Sequence, residues 1–351
     1  MMEMCKKREN MRAMNLKKKI EYILRCIKNV KDENFLNTVM EYRRGYHLIS
    51  FQTNSRYNID ENLYHIRIGN GVDGFFSFFR ETLDCLYYAE KCGFIPVVEF
   101  TQDMKYAEPN GVSGIKNPFE YYFMQPDMYG LDDLSRTSRV FQHERPHRNY
   151  AEEIGENSSY RISEEYLNEM AQIAKKYIHL STLVSDRIHN DLQSIFYEEE
   201  KILGVHYRGT DFKQGYKHHP QIVSLEDYIT QISALLKQNG YDCIFLATDD
   251  SEAQRRFEEV FQGKIRMYEA YRGDSQRSVM FSEVDRPLHH FELGYEVLRD
   301  VWTLANCDGL VSGMSQVSIC ARIMNRSFDK KFEDEVVFDN GLNTGNKIYK
   351  G

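Results

Sequence analysis

The chain has 351 residues, of which 42% are apolar and 28% are charged, and this balance is typical of a soluble globular protein with one large or two medium domains. Its formal net charge of −8 argues against general binding to nucleic acid, so no nucleic-acid partner is expected. Seven scattered cysteines contain no Cys-x-x-Cys pair, which argues against a zinc knuckle and favours a reducing compartment.

The first predicted element is a basic segment over residues 1–31. Ile20, Ile23, Leu24 and Ile27 recur in it at helical spacing. Two interpretations stay open: a surface helix with a solvated face, or a peripheral contact with a membrane. No apolar run reaches the roughly 18 residues of a membrane span, and the N-terminus lacks the apolar core of a secretory signal. We therefore expect a cytoplasmic protein.

The next part of the chain predicts a β–loop–α–β unit. A glycine-rich loop, Gly69-x-Gly71-x-x-Gly74, separates its strands from its helix. Residues 101–160 are rich in turn residues and predict an irregular region that lines a site rather than a sheet. Residues 162–197 are predicted to be largely helical. The predicted strands are 46–52, 63–68 and 94–100, and the predicted helix is 75–91.

From residue 202 onward, apolar runs alternate with amphipathic stretches, which predicts a parallel α/β half. The predicted strands are 202–206, 243–247, 264–268 and 308–312, and the predicted helices are 224–238, 251–261, 291–305 and 315–325. Ligands of such sheets bind at the carboxyl ends of the strands. Three domains are expected: an acceptor-side α/β domain over 1–190, a nucleotide-sugar-binding domain over 191–330, and a tail or crossing segment over 331–351.

Polar residues follow three of these strands. His206-Tyr207-Arg208-Gly209-Thr210-Asp211 comes first. A departing nucleoside diphosphate needs a metal or a cation to neutralise it, and the chain contains no Asp-x-Asp sequence of the kind that usually holds the metal. Arg208 offers a permanent charge and a bidentate contact to phosphate. His206 is expected to donate to a phosphate or contact the nucleoside, and Asp211 is expected to orient Arg208.

The second and third strand ends carry further candidates. Thr248 and Asp249 are candidates for contact with ribose or base, whereas Asp250 or Ser251 is expected to cap the following helix. Ser315, Gln316 and Val317 open the last helix, whose amides and dipole suit a phosphate. Asp300 lies within a predicted helix. Its carboxylate can accept both the ring N–H and the exocyclic amine of guanine, a donor pair that uracil and adenine lack.

Residues 202–325 resemble the donor-binding half of the α1,6-fucosyltransferase and O-fucosyltransferase superfamily, which includes the bacterial nodulation fucosyltransferases. The resemblance rests on His206–Asp211, Leu246–Asp250, Asp300 and Ser315–Val317, in matching order over about a third of the chain. It implies a GT-B-like fold with two Rossmann-like domains facing a central cleft. It also implies GDP-fucose as donor, inversion at the anomeric carbon, no cofactor and no metal. A bacterial source fits the absent signal anchor.

The chain departs from that family at two places. Gly209 stands where the α1,6 enzymes have a second arginine, and no carboxylate lies between Asp211 and Glu226, where those enzymes carry a catalytic glutamate. Inversion needs a base that takes the proton of the acceptor hydroxyl. Asp73 is the candidate, because Asp73-Gly74-Phe75 resembles a loop that supplies the base in some O-fucosyltransferases. His218 and His219 are the next candidates.

Two other functions remain open. The glycine-rich loop also fits a dinucleotide fingerprint, with Glu99 at the position of the ribose-binding acid, so an NAD-dependent oxidoreductase is one alternative. A non-catalytic module that binds a GDP-sugar or a glycan is the other. For a transferase, the acceptor is a glycan, a lipid-linked sugar or a protein hydroxyl, and the sequence does not choose among them.

Overall fold

The structure is a computed structural model that describes residues 49–53, 59–69, 71–143, 159–272, 279–282 and 284–347. The basic segment 1–31 lies outside these residues. The chain divides into two compact units that interleave along the sequence. The first comprises residues 1–68, 81–99 and 125–153, and the second comprises 69–80, 100–124 and 154–351. The predicted division at residues 190 and 330 stays a prediction.

A four-stranded sheet, in the order β1-β4-β2-β3, organises the first unit. Its strands are β1 (Ile49–Thr53), β2 (Ile59–Ile68), β3 (Ile95–Phe100) and β4 (Thr137–His143), and helix α1 (Phe75–Cys92) connects β2 to β3. β4 pairs antiparallel with β1 and parallel with β2. The Phe141 ring of β4 stacks on Phe94 with centroids 4.2 Å apart. This packing buries the apolar centre of the sheet.

The prediction that residues 101–160 form no sheet is wrong for β4. Val140 and Phe141 are the apolar pair of this strand, and the residues on either side of them are polar. So short an apolar run has no strand periodicity of its own, and partners distant in sequence stabilise it. The same region also contains a short helix, α2 (Pro118–Tyr122), which Asn117 caps by accepting from the amide of Phe119.

The predicted helical stretch 162–197 consists of two helices, α3 (Glu164–Tyr177) and α4 (Ser185–Ile195). Ser163 caps α3, since its hydroxyl accepts from the amide of Tyr166 at 3.1 Å. Between the helices, Leu180 forms a β-bridge with Phe123. That bridge takes the backbone out of the helical conformation.

The second unit is built on a five-stranded parallel sheet in the order β7-β6-β5-β8-β9. The strands are β5 (Ile202–Tyr207), β6 (Cys243–Thr248), β7 (Ile265–Arg266), β8 (Gly309–Gly313) and β9 (Asp334–Phe338), and the helices are α5 (Leu225–Gln238), α6 (Ser251–Val260), α7 (His289–Asn306) and α8 (Gln316–Ser327). Every residue of β5 and β6 is buried, as expected for strands covered on both faces. The predicted α/β class is confirmed.

The strand order fixes where a ligand can bind. The chain runs from β5 outward through β6 to β7, then returns to the other side of β5 with β8 and β9. The direction therefore reverses between β5 and β8, which is the switch point where open α/β sheets bind ligands at the carboxyl ends of their strands. His206 lies at this edge, opposite Ala247 of β6 and Ser312 of β8.

Strand β9 was not predicted, and it lies within the segment expected to be a tail or crossing segment. β9 pairs parallel with β8 over its whole length, from Asp334 opposite Gly309 to Phe338 opposite Gly313. Its residues are only partly buried because it forms the edge of the sheet. An edge strand carries fewer apolar residues than a central one, and its sequence pattern is correspondingly weak.

Candidate functional site

The His206 imidazole lies at the switch point, buried between β5 and the start of α8. Its Nδ1 lies 3.3 Å from the Ser315 hydroxyl, and the His206 carbonyl accepts a hydrogen bond from the Tyr228 hydroxyl at 3.1 Å. Burial lowers the pKa of His206 to about 4; the Asp249 carboxylate opposes this shift and the Arg208 guanidinium adds to it. The imidazole is therefore neutral near pH 7, and it can act as a hydrogen-bond donor without adding charge.

The Arg208 side chain is held by the end of the neighbouring strand. Its Nη1 lies 2.9 Å from Oδ2 of Asp249, which follows β6. The same carboxylate accepts from the Gly209 amide at 3.0 Å and from the Thr210 hydroxyl at 2.7 Å. Asp249 thus fixes the whole turn after β5. The Arg208 side chain keeps 26% of its surface exposed, which leaves it accessible to a ligand anion.

Asp250 is a structural residue. Its Oδ1 accepts from the amides of Glu252 at 2.9 Å and Ala253 at 3.1 Å, so it caps α6, as one of the two predicted capping residues. Its own amide donates to the Thr248 hydroxyl at 3.2 Å, and Thr248 is buried. These bonds order the second strand end. The Thr248 hydroxyl accepts one of them, and its predicted contact with the ribose or base stays a prediction.

The packing of Asp250 explains the glycine at position 209. A Cβ built on Gly209 would lie 2.5 Å from Cβ and 2.7 Å from Cγ of Asp250, closer than such atoms approach. An arginine at this position would therefore displace the α6 cap. A second cation beside this turn comes from Lys213. Its Nζ lies 2.6 Å from Asp250 Oδ2 and 3.3 Å from Glu252 Oε2. No sequence motif pointed to Lys213.

Asp211 begins a short 3₁₀ turn, Asp211–Gln214. Its side chain lies outside what the structure describes, so its predicted role in orienting Arg208 stays a prediction. The carboxylate that contacts Arg208 is Asp249, which was predicted to contact the ribose or base. The reason is the parallel register, which sets Tyr207 opposite Thr248 and so brings the two following turns side by side.

The N-terminus of α8 is ordered by a reciprocal pair of serines. The Ser318 amide donates to the Ser315 hydroxyl and the Ser315 amide donates to the Ser318 hydroxyl, both at 3.0 Å. The Ser315 amide is therefore already bonded, and the predicted phosphate contact falls to the amides of Gln316 and Val317, both partly buried. The positive end of the helix dipole lies at the same place.

Arg80 is a buried cation at this helix start, and no sequence motif singled it out. Its Nη1 lies 3.4 Å from Oε1 of Gln316, and it donates to the Ser159 carbonyl at 2.8 Å and to the Tyr166 hydroxyl at 3.0 Å. The side-chain amide of Gln316 also donates to the Ser159 carbonyl, at 2.7 Å. The side chain of Gln316 is thus engaged with the protein.

Asp300 lies on α7, partly buried. Burial raises its pKa to about 6; Arg299 and Arg272 oppose the shift, while Glu296 and Asp191 add to it. Arg299 donates to the Glu269 carbonyl at 2.9 Å, and Arg272 donates to the Tyr268 carbonyl at 2.7 Å. Both guanidinium groups are thereby bonded to the backbone of one loop. The contact of Asp300 with guanine stays a prediction.

Asp73 lies in the turn before α1, partly exposed. The carbonyl of the next residue, Gly74, accepts from the Ser77 amide at 2.9 Å, and the Phe75 amide donates to the Tyr106 hydroxyl at 3.1 Å. The turn is therefore well ordered. The predicted role of Asp73 as the base, and its position opposite Arg208, stay predictions.

Two residues of the dinucleotide fingerprint, Gly69 and Glu99, are engaged with other side chains of the protein. Gly69 has φ +139° and packs against the Thr101 side chain, whereas a Cβ on Gly71 or Gly74 would approach no closer than 3.5 Å and 4.0 Å, respectively. Glu99 lies 2.6 Å from His65 Nε2 and 3.4 Å from Arg67 Nε, and the His65 hydrogen bond lowers the pKa of the carboxyl. Both partners contact Oε2 of the carboxylate proposed for the ribose, and its contact with a ribose stays a prediction.

Within the described ranges, no three His, Cys, Asp or Glu side chains are grouped as a metal site. Over the same residues, no helix is long and apolar enough to cross a membrane.

No family model and no curated protein matches the chain. Among solved structures, a NodZ alpha-1,6-fucosyltransferase co-crystallised with GDP aligns over 76% of this chain and 92% of its own, at 18% identity and a TM-score of 0.47. A fucosyltransferase NodZ from Bradyrhizobium aligns over 75% and 93%, at 17% identity and a TM-score of 0.44. POFUT1 in complex with GDP-fucose aligns over 81% and 99%, at 11% identity and a TM-score of 0.44. The chain is structurally similar to these proteins, and its function has to be argued from its own residues.

Proposed function

We propose that the chain is an inverting, metal-independent glycosyltransferase that transfers a sugar, fucose in the first instance, from a GDP-sugar to a hydroxyl acceptor. One observation carries the proposal. Arg208, fixed by Asp249, follows β5 at the switch point of a parallel sheet, and His206 of the same strand lies 3.3 Å from Ser315 at the positive end of α8. A permanent cation and a helix N-terminus at one strand edge suit a diphosphate. GDP-fucose is proposed as the donor because the motifs within residues 202–325 resemble those of GDP-fucose-dependent transferases.

On the donor side, each residue has a separate role. Arg208 neutralises the charge that grows on GDP as the bond between the anomeric carbon and the phosphate oxygen breaks. The amides of Gln316 and Val317 add the helix dipole, and neutral His206 donates a hydrogen bond. Asp300 accepts the two donors of guanine.

The acceptor oxygen forms the new bond to the anomeric carbon from the opposite side, and its proton passes to Asp73. A base is required here because an uncharged hydroxyl is a poor nucleophile. Asp249 holds the turn that presents Arg208, which makes it a positioning residue in this scheme, and Thr248 orders the end of β6 by accepting from the Asp250 amide.

The wider setting belongs to the same proposal. The arrangement is GT-B-like, with Asp73 of the 1–190 half on the acceptor side, and the protein works in a bacterial cytoplasm. Residues 1–31 are its candidate contact to a membrane surface. The acceptor is a glycan, a lipid-linked sugar or a protein hydroxyl.

The test compares Arg208→Ala and Arg208→Lys with a control, Arg256→Ala, which removes an exposed arginine paired with Glu226. GDP binding is measured by calorimetry, and release of GDP from GDP-fucose is measured with and without EDTA. Loss of about a thousandfold in turnover for Arg208→Ala is expected, with partial rescue by lysine, no effect of the control and no effect of EDTA.

Three outcomes contradict the proposal. If Arg208→Ala turns over GDP-fucose normally, the cation has no catalytic role. If EDTA abolishes activity, the charge is neutralised by a metal. If the wild type binds GDP tightly but never releases it from GDP-fucose, the non-catalytic module is favoured.

A further inference from the structure

Four aromatic rings form a continuous cluster on and beside the loop that follows Arg208. We call Tyr160, Phe212, Tyr216 and His219 the aromatic platform. Phe212 contacts Tyr160 and His219 at centroid distances of 6.5 Å and 5.9 Å, and His219 also contacts Tyr160 at 6.2 Å and Tyr216 at 5.7 Å. These contacts are edge-to-face or tilted rather than stacked, so no two of the rings lie face against face.

The platform differs from the core aromatics of the same unit by its exposure. Tyr207, Tyr228 and Phe257 pack against one another and are buried. All four platform residues are only partly buried. Aromatic residues that pack a core lose their solvent contact, so a cluster that keeps it is a candidate binding surface.

The platform begins at the proposed phosphate-binding cation. The Arg208 Cζ atom lies 5.9 Å from the centre of the Phe212 ring. From there the contacts continue through His219 to Tyr216. Under the proposed function, a sugar attached to a phosphate bound at Arg208 would therefore lie next to Phe212. Three successive rings exceed what one pyranose covers, so the far end, Tyr216 and His219, remains for a second sugar.

The C-terminal segment fixes this loop in place. The Lys217 amide donates to the Lys347 carbonyl at 2.7 Å, the His218 amide to the Asn343 carbonyl at 2.9 Å, and the Asn343 amide to the His219 carbonyl at 2.8 Å. A bridge between Pro220 and Leu342 extends the pairing. Backbone pairing on both sides of His219 preorganises the platform, and a preorganised surface loses less entropy on binding.

A hydrogen-bond donor lies over one of the rings. Lys347 Nζ stands over the Tyr216 ring, 5.0 Å from its centre, and contacts Oε1 of Gln214, so a sugar stacks on the opposite face of Tyr216. Apolar ring faces bordered by a few donors suit a carbohydrate, whose C–H faces are apolar and whose rim carries hydroxyls.

We propose that the far end of the aromatic platform, Tyr216 and His219, binds the acceptor as a sugar ring stacked on an aromatic face, so that the acceptor is a glycan or a glycan-bearing molecule. This assignment deepens the proposed function and rests on it, because it places the acceptor beside the sugar that Arg208 holds by its diphosphate.

The test uses saturation-transfer NMR on the full chain saturated with GDP. The probes are methyl glycosides of glucose, galactose and N-acetylglucosamine. Tyr216→Ala and His219→Ala are compared with Tyr216→Phe and with Tyr197→Ala, a control that removes an exposed tyrosine away from the platform. We expect transfer to the sugar C–H protons in the wild type, roughly tenfold weaker binding in Tyr216→Ala and His219→Ala, and wild-type binding in the other two variants. GDP affinity and thermal unfolding are expected to stay unchanged in Tyr216→Ala.

Three other outcomes distinguish failure of the aromatic-platform proposal from failure of the proposed function. Tyr216→Ala that folds normally but loses GDP affinity places the ring in the donor site and overturns the proposal. Absence of any glycoside signal in the GDP-saturated wild type overturns it as well. A wild type that binds glycosides through Tyr216 but fails to bind GDP contradicts the proposed function and leaves the sugar platform standing.

Discussion

Two regions of this molecule fit nucleotide-binding patterns in sequence, and their chemistry differs. In the second unit, burial raises the pKa of Asp300 on α7, and about a quarter of the Arg208 side chain after β5 stays accessible to a ligand. At the β3 region, Glu99 is paired with His65 and Arg67, and its pKa is lowered. A carboxylate that already has cationic partners gains little from a ligand's donors, whereas a poorly solvated one gains much. We therefore predict that a ligand's donors gain more at Asp300 than at Glu99.

Within this comparison of carboxylates, the largest effect on GDP binding is expected from removing the Asp300 charge. Asp300→Asn should weaken GDP binding about a hundredfold, because an amide offers one acceptor and places a donor against a guanine donor. Glu99→Gln is the matched control and should leave GDP affinity unchanged. Calorimetry with GDP and a thermal-shift comparison with NADH measure both. If NADH raises the Tm of the wild type but not of Glu99→Gln, the dinucleotide site at Glu99 is favoured instead.

The next effect concerns the glycines of the two regions. Gly209→Ala should destabilise the protein by about 2 kcal/mol, because the new Cβ would meet Asp250 and disturb the cap of α6. Gly74→Ala, where the nearest atom is 4.0 Å from the new Cβ, should cost less than about 1 kcal/mol. Urea unfolding of both variants gives the free energies. If both variants lose the same free energy of unfolding, the packing of Asp250 does not require a glycine at position 209.

A pH profile of GDP affinity sharpens the comparison further. Guanine needs the ionised form of Asp300, so affinity should fall as pH drops through about 6, approaching tenfold per unit below it. The terminal phosphate of GDP also titrates, so the relevant quantity is the difference between wild type and Asp300→Asn. If the ratio of the two GDP affinities stays constant from neutral pH to pH 5, Asp300 does not bind guanine.

The last two effects are pH-dependent changes in stability, and they have opposite signs. Asp300 has a native pKa of about 6 against an ordinary 3.8, so its contribution favours folding at low pH and is lost as pH rises from 3.8 through 6. Asp300→Asn should therefore raise the Tm at pH 8 more than at pH 4.

Glu99 has a lowered pKa, so its contribution to stability is present above pH 4.5 and is lost as pH falls further. Glu99→Gln should cost about 1 kcal/mol at pH 7 and less at pH 4. If calorimetric scans show that Asp300→Asn and Glu99→Gln change the Tm in the same direction at pH 8, the opposite pKa shifts of the two carboxylates are contradicted.

Much of the second unit was predictable from the sequence. Buried strands of a parallel sheet are near-continuous apolar runs, so β5, β6 and β8 were placed within a residue or two of their ends. The strand predicted at 264–268 is limited to Ile265–Arg266, because β7 pairs with β6 through two residues at the sheet edge. The strands β9 and β4 were missed, since their stability comes from partners far away in sequence.

The candidate site was predictable in its residue types and less so in its contacts. The motifs at His206, Arg208 and Ser315 pointed to one strand edge, and the parallel register brings them there. The sequence did not reveal that Asp249 holds Arg208, that Asp250 requires glycine at 209, or that Lys213 and Arg80 stand close by. Each of these depends on distances between separate strands and helices.

The sequence by itself determined the alternation of buried strands and amphipathic helices, and with it the edge at which polar residues gather, because periodicity and burial are local properties of the chain. The tertiary structure decided which of those residues are already bonded to one another and which retain capacity for a ligand. That distinction rests on burial and on pairing across the fold, which move the pKa of Asp300 and of Glu99 in opposite directions although both are carboxylates near arginine.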